Sequence, residues 1–352
     1  MTVKVGLLRL IAQRIAGPGF DDAAETVRWM TSMQAQDYAG AVLAVALRTA
    51  SRDRNAVYEA LNSGAVVRSW TMRGTLHFVA AEDLSWIVGL TAERLIARGM
   101  KIRTDLGIDA STIERAGEVA VENLSGNRRL TRHELLAGWE AAGLADVKRR
   151  AYLLIWHLAQ TGTLCLGPTS PSGEQYFVLT DEWIATTRQL DHDEALGEWA
   201  LRYFRSHGPA AVKDFASWTK LTAADVKIAE AIAKQHLDRV EIDGLPYYLD
   251  PQTADLLDAH LRAARGVFLL PGFDEYLLGY QDRGAVLATE FAPRIVPGSN
   301  GVFLPTVIAD GKVVGTWKRA GTGANSSIVA NPFTAFSRTV ADAIPRAYRA
   351  LP

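Results

Sequence analysis

The sequence predicts an α+β protein in which a helix-turn-helix followed by a two-stranded hairpin occurs three times. Two observations lead to this fold class. Capping signals mark where helices begin, and glycine-containing turns separate paired runs of alternating apolar and polar residues. Two helices and a hairpin in this order are typical of winged-helix modules. We place the modules at residues 1–105, 106–190 and 191–255, and a β-rich subdomain at residues 256–352.

The central module carries the clearest signals. Thr131 and Glu134 match the capping box that begins a helix, and a second helix is predicted over residues 147–160. The start of that second helix is where a recognition helix meets DNA phosphates, and it carries three cations, Lys148, Arg149 and Arg150. The predicted wing consists of strands over residues 163–166 and 175–179.

The other two modules repeat this order less regularly. In the third, Thr222 and Asp225 begin a helix, and Asp243-Gly244 is a hairpin turn between strands at 239–242 and 245–249. In the first, helices are predicted over residues 6–15, 22–34 and 54–62, and strands over residues 66–72 and 75–79. The C-terminal segment is predicted to be mainly β, with runs at 267–270, 273–278, 302–309 and 312–317.

The composition is that of a globular protein with balanced charge. The 38 Lys and Arg residues against 39 Asp and Glu residues argue against a surface coated in positive charge, so local clusters of cations are the candidates for DNA contacts. The single cysteine, Cys165, allows no disulfide framework and is typical of a reducing cytosol. The apolar stretch 5–15 is too short to cross a membrane. We expect a cytoplasmic, nucleoid-associated monomer without membrane contact.

Most familiar catalytic patterns are missing from the sequence. The seven histidines lack metal-ligand spacing, and neither a phosphate-binding loop nor a nucleophile elbow occurs, so we expect no metal and no cofactor. What remains is the pair Gln34 and Gln36. Two residues at this spacing lie on one side of an extended segment but on opposite sides of a helix, so the predicted helix must end near Gln34 for both to act together. By spacing alone, polar residues that face water at a helix end are the better interpretation of the pair.

Four blocks of sequence, taken together, resemble the AlkZ/YcaQ-like family of bacterial DNA glycosylases. The similarity covers nearly the whole chain, and the four blocks lie, in order, at residues 33–37, 69–77, 270–278 and 315–319. The resemblance implies three tandem winged-helix domains, excision of purines alkylated at N7 and, in the AlkZ branch, unhooking of interstrand DNA cross-links. The family's catalytic motif is Gln, any residue, then Gln or Asp, which Gln34 and Gln36 match. The middle position is usually a larger apolar residue, and here it is Ala35.

Glutamine suffices for this chemistry only when the leaving group is already activated. An N7-alkylguanine is cationic and departs as a neutral base, so no strong acid is required. The remaining tasks are to position a water and to stabilise an oxocarbenium-like sugar, which an amide dipole can perform. We predict that Gln36 holds the water, and that Gln34 orients Gln36 or contacts the sugar-phosphate.

Several other residues are candidates for supporting roles. Asp37 is a rival base or a solvated carboxylate, and His77 either supports catalysis or is a hydrogen-bonded core residue. Asp274 is predicted to orient basic residues or to line the pocket. The remaining predicted pocket residues are Trp70 and Trp317, of which Trp317 fits core packing equally well. The remaining predicted DNA contacts are Arg68, Arg73, Lys318 and Arg319.

The sequence therefore predicts a monofunctional DNA glycosylase that acts on N7-alkylated purines in duplex DNA, in general repair or in self-resistance. A winged-helix transcriptional regulator is the main alternative, and it would leave no alkali-labile strand breaks in alkylated DNA. An enzyme of small-molecule metabolism on the same fold is a third, since fold does not determine function. Absence of DNA binding at low salt would indicate that third class.

Overall fold

The computed structural model describes residues 4–321 and 326–352, which form an α+β structure as predicted. The helices are α1 (Val5–Ala12), α2 (Ala23–Met30), α3 (Tyr38–Ala46), α4 (Arg54–Asn62), α5 (Leu84–Gly89), α6 (Ala92–Asp105), α7 (Ala110–Leu124), α8 (Arg132–Ala141), α9 (Val147–Gln160), α10 (Thr180–Trp183), α11 (His192–His207), α12 (Val212–Thr219), α13 (Ala223–Ala233), α14 (Thr253–Ala264), α15 (Glu275–Leu278), α16 (Ala292–Ile295) and α17 (Arg338–Arg349). The strands are β1 (Met33–Gln34), β2 (Val66–Trp70), β3 (Leu76–Ala80), β4 (Leu164–Thr169), β5 (Gln175–Leu179), β6 (Asp238–Ile242), β7 (Leu245–Leu249), β8 (Val267–Leu270), β9 (Thr306–Ala309), β10 (Lys312–Ala320) and β11 (Ser327–Pro332). None of the helices within these two ranges is long and apolar enough to span a membrane.

The chain divides into two compact units. The first unit comprises Met1–Val57 and Leu196–Pro352, and the second comprises Tyr58–Ala195. The chain passes from one unit to the other within α4 and again within α11. The finer division into three winged-helix modules stays a prediction.

In the second unit, helices α7, α8 and α9 pack on a small antiparallel sheet. Trp139 of α8 is fully buried, and its indole N–H donates to the carbonyl of Ala116 in α7 at 2.9 Å. Thr131 and Glu134 form the predicted capping box at the start of α8. Strands β2 to β5 lie in the order β3-β2-β4-β5, because β2 also pairs with β4. The two hairpins predicted for separate modules therefore share one sheet.

The first unit is built around a four-stranded antiparallel sheet in the order β11-β10-β9-β8. Helices α1 and α14 pack together, α17 packs against β8, and the buried apolar residues of this unit fill the spaces between these elements. The hairpin of β6 and β7 turns at Asp243 and Gly244, both of which have positive φ, as the predicted turn requires. Thr222 accepts a hydrogen bond from the backbone of Asp225 and begins α13 as predicted.

Several predicted elements differ from the structure. The helix predicted over residues 22–34 ends at Met30, and α3 was not predicted at all. The run 273–278 was predicted as β but forms the short helix α15, because Phe273 turns the chain with φ 59° and Asp274 caps the following turn. Helix α17 was also missed, so the C-terminal segment mixes helices with the predicted strands.

One close backbone approach ties α1 to the β9–β10 turn. A Cβ atom added to Gly6 would lie 2.0 Å from the carbonyl oxygen of Gly311. The hydroxyl of Tyr276 donates to the carbonyls of both glycines, at 3.1 Å and 2.8 Å, and holds them together. Only a residue without a side chain fits at position 6.

We therefore expect Gly6→Ala to destabilise the protein by about 1–3 kcal/mol, because one of two backbone segments must move. The free energy of unfolding in urea measures the effect. Gly89→Ala is the matched control, since nothing lies within 4 Å of its added Cβ and alanine is the better helix former in α5. Equal stability of Gly6→Ala and the unmodified protein would contradict this packing.

Candidate functional site

The segment before the glutamine pair is strained. Helix α2 ends at Met30, and the backbone N–H of Ser32 donates back to the Met30 carbonyl at 2.8 Å, around Thr31. Thr31 has φ 65° and ψ −52°, which is costly for a β-branched residue, by about 1–3 kcal/mol. Both Thr31 and Ser32 are fully buried. The chain therefore leaves the helix by a sharp turn that the surrounding structure must hold.

The glutamine pair follows this turn in a segment that is not helical. Gln34 ends the two-residue strand β1, and Gln36 lies at a bend before α3. Gln34 is half-buried, Ala35 is fully buried and Gln36 is exposed. The early end of α2 removes the helical geometry that would have separated them.

Asp37 begins the next helix. Its exposed carboxylate accepts the backbone N–H of Gly40 at 3.1 Å and is the N-cap of α3. A carboxylate at an N-cap stabilises the helix by about 1 kcal/mol. The structure therefore gives Asp37 a capping role at a solvated helix end, which is one of its two predicted roles.

A buried carboxylate contacts the backbone of the glutamine segment. Glu275, the first residue of α15, is 1% exposed, and its Oε1 accepts the backbone N–H of Gln34 at 3.2 Å. Its Oε2 accepts the indole N–H of Trp218 at 2.9 Å. The Nε2 atom of His207 lies 3.5 Å from the same oxygen. Both oxygens of Glu275 are thus engaged.

His207 is a buried neighbour of this carboxylate. Its ring is fully buried and stacks on Tyr203 with 4.6 Å between ring centroids. Burial lowers the pKa of His207, although nearby Glu275 opposes the shift. A Cβ atom at Gly279 would lie 2.4 Å from Cδ2 of His207, so this glycine allows α15 to approach the ring.

The ion pair of Arg48 and Asp274 and the side-chain amide of Gln13 also hold α15 in place. The Arg48 guanidinium donates to both oxygens of Asp274, at 2.9 Å and 2.8 Å, and both side chains are buried. Arg48 also donates to Oε1 of Gln13 at 2.8 Å, and the Gln13 amide donates to the carbonyl of Glu275 at 3.2 Å. Asp274 therefore orients a basic residue, which is one of its two predicted roles.

Sequence reasoning missed five members of this network: Gln13, Arg48, His207, Trp218 and Glu275. A weak signal existed for two of them. Gln13 follows the apolar helix α1 and Arg48 follows the apolar helix α3, and polar residues in such surroundings are buried only when they have partners. The partners themselves lie more than 200 residues away in sequence.

The other predicted residues of the first unit divide into buried and exposed. Trp317 is 7% exposed, donates its indole N–H to the Leu270 carbonyl at 2.9 Å and meets Tyr348 edge-on. It therefore packs in the core, which fits the predicted alternative of core packing, and the pocket-lining role stays a prediction. Lys318 and Arg319 follow it on β10 and are exposed.

In the second unit, His77 of the β2–β3 hairpin contacts other groups of the same hairpin. His77 is fully buried, with Nδ1 2.8 Å from the Thr75 carbonyl and Nε2 3.2 Å from a guanidinium nitrogen of Arg73. His77 therefore fits the predicted alternative of a hydrogen-bonded core residue. Trp70 is 6% exposed and packs in the core of this unit, so a pocket-lining role for it is not supported. Arg68 is half-buried and donates to Gln175 at 3.1 Å.

The three cations at the start of α9 have different surroundings. Arg150 is half-buried and donates to the Leu106 carbonyl at 3.1 Å, and Arg149 lies 3.4 Å from the Asp105 carbonyl. Both arginines thus satisfy carbonyls at the C-terminal end of α6, where cations are favourable. Lys148 is exposed and is the best placed of the three to meet a phosphate.

The chain belongs to the AlkZ-like DNA glycosylase family, whose model matches residues 27–351. The family predicted from the sequence is therefore confirmed.

A relative and a solved structure, both from Streptomyces sahachiroi, extend this finding. The chain is 26% identical over 337 residues to the interstrand DNA cross-link repair glycosylase of Streptomyces sahachiroi, and the match covers 92% of this chain and 88% of that protein. The solved structure of the Streptomyces sahachiroi DNA glycosylase AlkZ superposes with a TM-score of 0.82 at 26% identity, over 99% of this chain and 95% of that one.

Within residues 4–321 and 326–352, no group of three His, Cys, Asp or Glu side chains is arranged to hold a metal ion.

Arg48→Met should destabilise the protein by about 3–5 kcal/mol, because it leaves the Asp274 carboxylate buried without its cation. Thermal and urea unfolding measure this loss, and the double variant with Asp274→Asn should recover part of it. Arg115→Ala, which breaks an exposed ion pair with Glu118, is the control and should change stability by at most about 0.5 kcal/mol. A loss for Arg48→Met as small as that of the control would count against a structural role for the buried pair.

Proposed function

We propose that this protein hydrolyses the N-glycosidic bond of N7-alkylated purines in duplex DNA, with Gln34 and Gln36 as catalytic residues. Family membership supports the glycosylase class. The observation that supports the assignment to this pair is the early end of α2 at Met30, which leaves Gln34 and Gln36 outside a helix on either side of a buried Ala35. Neither glutamine can donate a proton as a strong acid, which restricts the substrate to bases that leave without one.

The proposed reaction uses the positive charge of the alkylated base. As the bond from C1′ to N9 breaks, its electron pair neutralises the purine ring, and an oxocarbenium-like sugar remains. The carbonyl oxygen of Gln36 orients a water toward C1′, and Gln34 orients Gln36 or contacts the sugar-phosphate. The water forms the new C–O bond and then loses its proton to solvent, which leaves an abasic site.

Cross-links are proposed as a second class of substrate. The Streptomyces relative is named as an interstrand cross-link repair glycosylase. A cross-linked base is tethered to the opposite strand and cannot be extruded fully into a closed pocket. The exposure of Gln36 supports an open site that tolerates such a lesion.

Contacts to DNA are proposed for exposed cations of the predicted central winged-helix module and of the predicted β-rich subdomain. Lys148, Lys318 and Arg319 are exposed. Arg68, Arg73, Arg149 and Arg150 contact atoms of the protein and are weaker candidates. Phosphate contacts of this kind position the duplex without reading its sequence.

Gln34→Ala and Gln36→Ala should each slow base release by about 10²-fold, because each removes an oriented dipole from the transition state. Single-turnover release from duplexes that carry one N7-methylguanine, or one defined N7-linked cross-link, measures the loss. Asp37→Asn should retain the activity, since asparagine caps a helix as well as aspartate does. Gln235→Ala, at an exposed glutamine of the first unit, is the matched control.

Wild-type rates in both glutamine variants would disprove the assignment of the catalytic pair. If the unmodified protein binds the duplexes but leaves no alkali-labile breaks, the transcriptional regulator is the better description. If it fails to bind DNA even at low salt, a substrate other than DNA must be sought.

Lys148→Ala should reduce the slope of log K against log salt concentration by about 0.9, the contribution of one phosphate contact. Arg150→Ala is a contrasting variant. Its guanidinium contacts the Leu106 carbonyl, so we expect lower stability with an unchanged salt slope. Fluorescence anisotropy with a labelled duplex at several salt concentrations gives the slopes. An unchanged slope for Lys148→Ala would exclude it as a phosphate contact.

A further inference from the structure

Glu275 stands out among the buried groups of the first unit because it contacts the backbone of the glutamine motif itself. Its Oε1 accepts the N–H of Gln34 at 3.2 Å, from a position 241 residues further along the chain. We propose that Glu275 is a positioning residue of the glycosylase reaction, which fixes the backbone of Gln34 and so the direction of both amides. This inference rests on the proposed function of the glutamine pair.

The contact requires a carboxylate rather than its neutral isostere. Both oxygens of Glu275 accept N–H donors, from Gln34 on one side and from the indole of Trp218 on the other. A glutamine at this position has one acceptor oxygen, and its NH2 group would face one of these two donors. The buried N–H that loses its acceptor would then be left unsatisfied, which is unfavourable in the interior.

The Glu275 carboxylate is fixed in place by contacts that do not involve the glutamine motif. Asp274 caps the four-residue helix α15 and is clamped by Arg48, and the Gln13 amide binds the Glu275 carbonyl. Trp218 restrains the far oxygen. Such supported groups provide the fixed geometry that oriented dipoles need in catalysis.

The motif needs a support of this kind because the turn that leads into it is strained. Thr31 has φ 65° three residues before Gln34, and a β-branched residue relaxes from this conformation when nothing holds it. The Gln34 N–H contact opposes that relaxation.

The test compares Glu275→Gln with the unmodified protein in single-turnover release of N7-methylguanine. We expect the rate constant to fall at least about tenfold, because small errors in the placement of reacting groups are costly. The dissociation constant for the duplex should not change. In nuclear magnetic resonance spectra, the backbone amide proton of Gln34 should move upfield as it loses its bond to a charged acceptor.

Asp214→Asn is the matched control. Asp214 is also a fully buried carboxylate that accepts backbone N–H groups, from Ala211, Gln281 and Asp282, each at 3.1 Å, and none of these belongs to the glutamine motif. The Asp214→Asn variant should be less stable than the unmodified protein. At temperatures where the variant is folded, its rate constant and its Gln34 amide resonance should be unchanged. Glu275→Asp provides a second variant if Glu275→Gln fails to fold, since it keeps the charge but is too short to reach Gln34, and its rate should also fall.

The outcomes separate this inference from the proposed function. Wild-type rates in both Glu275 variants, beside an active unmodified protein, would overturn the positioning role and leave the glycosylase assignment intact. An equal fall in Asp214→Asn would also overturn it, because the loss would then follow from any missing buried charge. No base release by the unmodified protein from N7-methylguanine or cross-linked duplexes would overturn the proposed function and this inference together.

Discussion

The buried ion pair of Arg48 and Asp274 is the constraint on which the site of the first unit depends. Burying two charges is costly, and such a pair is favourable only when its geometry is good and its remaining hydrogen bonds are satisfied. Here two parallel bonds join the guanidinium to the carboxylate, and Arg48 also donates to the Ala44 carbonyl and to Gln13, while its Nε is buried without a hydrogen-bond partner among the described residues. Because Asp274 caps α15, the pair fixes the helix that carries Glu275, and through it the backbone of Gln34.

The first unit separates buried carboxylates from the exposed end of the glutamine segment. The carboxylates of Asp274 and Glu275 are buried, whereas Gln36 and the capping carboxylate of Asp37 are exposed. The buried carboxylates accept hydrogen bonds from Arg48, Gln34 and Trp218 and so stabilise the architecture. In the proposed reaction, the exposed amide meets a base that already carries a positive charge and needs no strong acid to leave.

Local signals predicted the elements whose causes are local. The Thr131 and Glu134 capping box, the Asp243-Gly244 turn and the bounds of α9 at residues 147–160 each depend on residues within a few positions, and each is confirmed. The β2–β4 pairing and the Gln34–Glu275 contact join residues about 100 and 241 positions apart, which no periodicity reveals. The early end of α2 likewise depends on a buried turn at Thr31, whose own propensity gives no sign of positive φ.

The alanine between the two glutamines can be understood from the same contacts. In the resemblance to the family, the middle position of the motif is usually a larger apolar residue, and each missing buried CH2 group forgoes about 0.8 kcal/mol of packing. Ala35 is nevertheless fully buried, so the segment sits closely on the interior. Glu275 acts on the backbone N–H of Gln34, and a backbone contact does not depend on the size of the next side chain. A polar anchor below the strand can therefore hold the two amides in place where a large side chain would otherwise do so by packing.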